Sequence, residues 1–198
     1  MRKCGVVAMA AIASVALAGC CLCKCKHAAA GKETAAAGKF VLRVTAGISE
    51  PYTDKAGNVW KGEKEYSKEA GFGFVGGLTV DRTENMKIEG TNDPRVYQTE
   101  HYSMTGFVAD VPNGKYSVRL HFAETYDGVT SAGGRVFDVT IQGKTVLQDF
   151  DVFKEAGGAQ KAVVREFKSI EVTNGKIEIG FVPKQQNPEI NGIELLGE

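Results

Sequence analysis

The sequence predicts an all-β fold, an antiparallel β-sandwich or jelly roll, and three observations carry that prediction. Apolar and polar residues alternate with a period of two in several short runs, most cleanly where Tyr116, Val118, Leu120 and Phe122 interleave with Ser117, Arg119 and His121. Successive side chains of a strand point to opposite faces, so such a run places one face in the core and the other in water. The runs are punctuated by turn-forming residues, among them Pro112-Asn113-Gly114, Gln142-Gly143-Lys144 and Asn174-Gly175. No segment holds helical periodicity beyond a turn or two, and about nine or ten short strands joined by polar turns describe a sandwich rather than a helical or α/β domain.

Taken in order, the chain opens with Met1-Arg2-Lys3 and an apolar run over residues 5–17, shorter than the roughly 20 residues that a spanning helix needs. This is the pattern of a secretion signal. Its end, Leu17-Ala18-Gly19-Cys20, resembles the bacterial lipoprotein signal, in which cleavage before the cysteine exposes a residue that receives lipid. The resemblance implies a signal peptide over 1–19, lipid attachment at Cys20, and an exported protein held to the bacterial cell membrane or outer membrane through that anchor. Residues 20–39 are rich in Ala, Gly and Lys and read as a flexible tether, leaving 40–198 as the domain. All five cysteines precede residue 26, so the domain contains no disulfide and depends on its core. Cys21, Cys23, Cys25 and His27 alternate more tightly than the Cys-x2-Cys spacing of structural zinc, and no metal or cofactor is expected.

Within the domain, residues 40–44 read as a first strand and residues 48–62 as a structured loop carrying Tyr52 and Trp60. Residues 69–79 place four glycines around Phe72 and Phe74, which reads as a close backbone approach or a bulged strand. Residues 95–100 and 104–111 read as a strand pair. The run 115–122, the long loop over 124–134, and the runs 137–141 and 144–150 read as three successive strands of one antiparallel sheet. Three further strands follow, and Ile177, Ile179 and Phe181 alternate cleanly in the second of them.

Composition excludes several function classes. Of 24 basic residues six fall in 1–39, and of 24 acidic residues one does, leaving 18 basic against 23 acidic in 40–198. The domain is mildly acidic and carries no basic stripe with interleaved aromatics, so no nucleic-acid partner is expected. Neither HExxH nor GxSxG is present, and the two domain histidines, His101 and His121, read as surface groups. Paired carboxylates for glycoside hydrolysis remain open among Glu100, Glu124, Asp138, Asp149 and Asp151. More telling are the aromatics Tyr52, Trp60, Phe72, Phe74, Tyr97, Tyr102 and Tyr126, which fall in segments read as loops or loop edges. Sugar C–H faces stack on such rings while hydroxyls reach surrounding polar groups, a combination that suits carbohydrate binding. Packing in the core is the competing role for each ring.

Six stretches then resemble one family: residues 43–60, 71–77, 96–104, 116–126, 134–152 and 187–196, with the motifs YQTE, LHFAE, RVFDV and FDV in that order. Together they are similar to the malectin domain, a carbohydrate-binding β-sandwich related to the galactose-binding-like jelly rolls. The resemblance implies a non-catalytic module whose partner is an oligo- or polysaccharide. It implies site residues at Phe72 or Phe74, Tyr102, Tyr126 with Asp127, and Gln186; Trp60, as an aromatic in the loop over 48–62, is a further stacking candidate. Only Tyr102 and Tyr126 match the animal family members unchanged. Phe for Tyr loses a hydroxyl, Asp127 stands for a Phe, Gln186 for an Asp, and His101 for an Arg, so the sugar specificity of those members is not carried over. An envelope protein partner on the same fold is the alternative reading, and a glycoside-processing enzyme the third.

Overall fold

The computed structural model describes residues 39–83 and 85–198; the signal peptide, Cys20 and the cysteine-rich segment lie outside the described residues. The strands are β1 (Val41–Thr45), β2 (Tyr52–Thr53), β3 (Val59–Trp60), β4 (Phe72–Val75), β5 (Leu78–Asp81), β6 (Thr99–Tyr102), β7 (Gly106–Asp110), β8 (Gly114–Phe122), β9 (Val136–Ile141) and β10 (Lys144–Phe150). After a short helix α1 (Val152–Ala156) come β11 (Val163–Val172), β12 (Lys176–Gln185), β13 (Glu189–Ile190) and β14 (Gly192–Gly197).

Two antiparallel sheets face each other. One has the order β1-β14-β8-β11 and the other β10-β9-β12-β7-β4. The alternating residues of β8 supply the inner face of the first sheet, with Tyr116, Val118, Leu120 and Phe122 buried, and they meet Phe107, Phe137, Val139, Ile141, Ile177, Ile179 and Phe181 of the second. Phe107, Phe122 and Phe137 are completely buried, each worth about 1.5–3 kcal/mol of hydrophobic stabilisation. The chain thus forms the expected sandwich.

Several local readings are corrected. The runs 115–122 and 137–141 are not neighbours: β8 pairs with β11 and β14, and β9 with β10 and β12. The long loop between them therefore crosses from one sheet to the other, since alternation fixes which face is apolar but not which strand lies alongside. Residues 95–100 are not one strand either. Pro94–Tyr97 form a turn of 3-10 helix, consistent with a proline that has no N–H for a ladder and a φ suited to a first helical turn. Only Thr99–Tyr102 extends, and β6 pairs with β5 and β13 in a small third sheet rather than with β7. The loop after Phe150 contains α1, capped at its start by the Asp151 carboxylate, which accepts from Lys154 N at 3.0 Å.

Both domain histidines are buried, against the surface reading. His121 places Nε2 3.0 Å from Glu194 Oε1 and Nδ1 2.8 Å from the Tyr97 hydroxyl, both within hydrogen-bond distance. His101 places Nδ1 2.5 Å from Glu63 Oε2 and Nε2 2.9 Å from Gly76 O, its ring stacked on Phe74 with centroids 4.1 Å apart. Each polar face position became interior because the β2–β3 hairpin or the β4–β5 turn covers the outside of its sheet. Gly77 makes the second closure possible: its φ is +100, a left-handed backbone open to glycine, and a Cβ there would lie 2.4 Å from His101 Nε2.

Candidate functional site

At one end of the sandwich the third sheet and two loops enclose an open cleft of about 280 Å³. Val80 and Arg82 line it from β5 and the residue beyond, Glu100 and Tyr102 from β6, Tyr126 and Arg135 from the two ends of the crossing loop, and Gln186 and Asn187 from the segment after β12. Tyr126 is 44% exposed, far more than a packing role requires. Its ring folds back over Gly128, where a Cβ would fall 2.4 Å from the ring, and on the cleft side the Arg82 guanidinium lies 5.9 Å from its centroid. Gln186 holds a left-handed φ of +57, an unusual backbone for a residue other than Gly, Asn or Asp and a mark of a constrained position. Among the described residues, the Tyr102 and Tyr126 hydroxyls and the Gln186 and Asn187 side-chain amides make no hydrogen bond to protein.

Beneath the cleft lies a buried charge cluster. Arg135 Nε meets Glu124 Oε2 at 2.7 Å and Nη2 meets Oε1 at 3.2 Å, a two-pronged pair with both side chains almost fully buried. The same arginine donates from Nη1 to the Asn187 carbonyl, and Glu124 Oε1 accepts from Tyr126 N at 3.0 Å. One ion pair thereby ties the Tyr126 loop to the Gln186 segment. Burial works to lower the Arg135 pKa, but the Glu124 hydrogen bond and neighbouring carboxylates raise it overall. Arg82 Nη2 pairs with Glu100 Oε1 at 2.7 Å, and the Thr125 hydroxyl donates to Glu100 Oε2.

Glu189 is fully buried, and neither carboxylate oxygen has a hydrogen-bond partner among the described residues. Burial, and then the charges of Glu100 and Glu124, push its pKa well above the carboxylate range, more than Arg135 and Arg82 pull it down. Sequence reasoning missed Arg82, Arg135, Asn187 and Glu189 as site residues; for Arg135 the only available signal was membership of the motif RVFDV, and for Asn187 and Glu189 membership of the family-like stretch 187–196.

The other sequence candidates are distributed differently. Phe72 and Phe74 are core residues, Phe72 under the Lys64 ammonium at 4.0 Å and Phe74 against His101 and Phe107. Trp60 is buried, donates to Asp54 Oδ2 at 3.0 Å and packs edge-on against His121. None of the three lines the cleft. Asp127 is exposed and lines a second cleft that shares Tyr126 with the first. Glu100 and Glu124 are each engaged with an arginine, Asp138 and Asp149 share Lys184 at the surface, and Asp151 caps α1. Among the described residues no three His, Cys, Asp or Glu side chains converge as a metal shell.

A family model described as the malectin domain matches residues 40–193. The chain belongs to the malectin domain family. It is 30% identical over 170 residues to Receptor-like protein 4 of Arabidopsis thaliana, covering 79% of this chain and 27% of that relative. It is 33% identical over 90 residues to Malectin-B of Xenopus laevis, covering 44% of this chain and 31% of the other. The chain thus spans about a quarter to a third of these relatives. Among solved structures it is similar to a β-glucuronidase of Bacteroides uniformis, with TM-score 0.71, 24% identity, and 80% of this chain against 18% of that one. It is also similar to the ANXUR1 extracellular domain of Arabidopsis thaliana, with TM-score 0.65, 16% identity, and 79% against 47%. At these identities the structural likeness shows the malectin-like sandwich and nothing of its ligand.

Proposed function

We propose that this malectin domain is a non-catalytic carbohydrate-binding module of an exported, lipid-anchored protein, taking an oligo- or polysaccharide in the cleft between Tyr102 and Tyr126. The observation that supports it is convergence: Tyr102, Tyr126 and Gln186 come from three separate parts of the chain and line one open cleft, with hydrogen-bonding groups that the described protein leaves unspent. Tyr126 offers a ring face for stacking; the hydroxyls and amides offer donors and acceptors to sugar hydroxyls. The carboxylates nearest the cleft are held by arginines, which leaves them as positioning groups rather than as an acid and a nucleophile. Few contacts of this kind give affinities of about micromolar to millimolar, or roughly 4–8 kcal/mol.

NMR titration against oligosaccharides selected on a glycan array tests this reading. Tyr126→Ala is expected to weaken binding at least about tenfold, or about 1.4 kcal/mol; equal affinity removes Tyr126 from the site. A wild-type protein that binds no oligosaccharide but co-purifies with an envelope protein replaces the sugar reading with protein docking, and turnover of a chromogenic glycoside replaces it with catalysis.

A further inference from the structure

Tyr126 lines two clefts. A second open cleft of about 330 Å³, which Tyr126 lines and Tyr102 does not, is formed by Asp127, Val129 and Thr130 of the crossing loop and by Phe153, Ala159 and Gln160 from α1 and the segment after it. The first cleft falls just below the range of about 300–1,000 Å³ for ligand sites and the second just inside it, whereas the two together lie well within it.

The second cleft has the composition of a sugar subsite. Half-buried Phe153 supplies apolar surface over the buried Val129, and the polar groups around them are unspent: among the described residues the Asp127 carboxylate, the Thr130 hydroxyl and the Gln160 side-chain amide make no hydrogen bond to protein. Gln160 is also anchored in place. Its N–H donates to Glu124 O at 2.8 Å, and its carbonyl accepts from Glu89 N at 2.9 Å. Its backbone holds a left-handed φ of +56, so its free amide sits on a fixed stem. Glu124 therefore links both clefts, through its side chain to the Tyr126 loop and through its carbonyl to Gln160.

We infer that the second cleft is a continuation subsite for the same glycan, so that the ligand is a chain of three or more sugar units crossing the Tyr126 ridge, with Thr130, Gln160 and Asp127 hydrogen-bonding the units beyond it. This rests on the carbohydrate reading of the first cleft. It makes chain length, rather than the identity of a terminal disaccharide, the main determinant of affinity.

The test is an NMR titration of the protein with one-to-six-unit ladders of α-1,4-glucan, β-1,4-glucan, β-1,4-mannan and β-1,4-linked N-acetylglucosamine. In the ladder that binds, affinity is expected to rise about tenfold or more from the disaccharide to the tri- or tetrasaccharide, about 1.4 kcal/mol, with shifts appearing in the Thr130 and Gln160 amides. The double variant Thr130→Val, Gln160→Gly removes both polar groups, and its glycine suits the positive φ; it should bind the disaccharide within about twofold of wild type and lose the length-dependent gain. A disaccharide that binds as tightly as longer chains, or a gain that survives in the double variant, overturns the second subsite and leaves the first intact. Absence of binding to every ladder counts against the carbohydrate reading itself, and the subsite falls with it.

Discussion

Replacing Glu189 by Gln should change how the stability of this protein depends on pH. The side chain lies on β13, fully buried and without a hydrogen-bond partner among the described residues, facing Glu100 from β6, Glu124 just after β8, Arg135 before β9 and Arg82 after β5. Its folded pKa is raised above the ordinary 4.5, first by burial and then by the Glu100 and Glu124 charges. Above that ordinary value the unfolded chain has released the Glu189 proton while the folded chain still holds it. Stability from this group is thus fully present below 4.5 and falls as pH rises toward the folded value, by up to about 1.4 kcal/mol per pH unit. Glutamine keeps the shape and cannot ionise. Urea unfolding of both proteins from about pH 4 to about pH 8 is expected to give curves that run parallel at the acid end and then separate, the variant gaining up to that slope. The difference between the two is the readout, because other groups move the absolute curve. Glu194, for one, is raised by burial but held lower overall by His121 and Arg43, and contributes stability that is lost as pH falls. A difference that stays constant across the range refutes the argument that a buried protonated carboxyl sits under the cleft.

Two further substitutions probe the same region. Arg135→Met strands the buried Glu124 carboxylate and the Asn187 carbonyl, and should cost about 3–5 kcal/mol, read as a fall in Tm of roughly 2–4 °C per kcal/mol; adding Glu124→Leu should restore much of it. A single variant as stable as wild type removes the ion pair from its structural role. Gly128→Ala places a Cβ 2.4 Å from the Tyr126 ring, so the ring must swing away. Glycan affinity should fall about as far as in Tyr126→Ala while stability changes by less than about 1 kcal/mol, and unchanged affinity refutes the ring position.

The charge cluster and the cleft belong to one arrangement. The Arg135–Glu124 pair holds the backbone at Tyr126 and Asn187, so the ring and the amides are set by a buried ion pair rather than by loop packing alone. Such a pair adds little to stability relative to apolar packing. Its effect here is positional, in that it fixes two loops that share no strand.

The sequence by itself determined the sandwich class. Alternation in β8, β9 and β12 is a local property, because neighbouring side chains on a strand point to opposite faces whatever the strand pairs with. The motifs also pointed to Phe72 or Phe74, Tyr102, Tyr126, Asp127 and Gln186, of which only Tyr102, Tyr126 and Gln186 line one cleft. Only the tertiary structure decided the partners: that β8 and β9 lie in opposite sheets, that β6 joins a third sheet, and that the loop between β8 and β9 crosses the sandwich. It also decided burial. His101, His121 and Trp60 became interior, and Glu100, Glu124 and Glu189 came together around two arginines, because elements distant in the chain closed over them. The desolvation of a charge depends on everything packed around it, and no local pattern of residues encodes that environment.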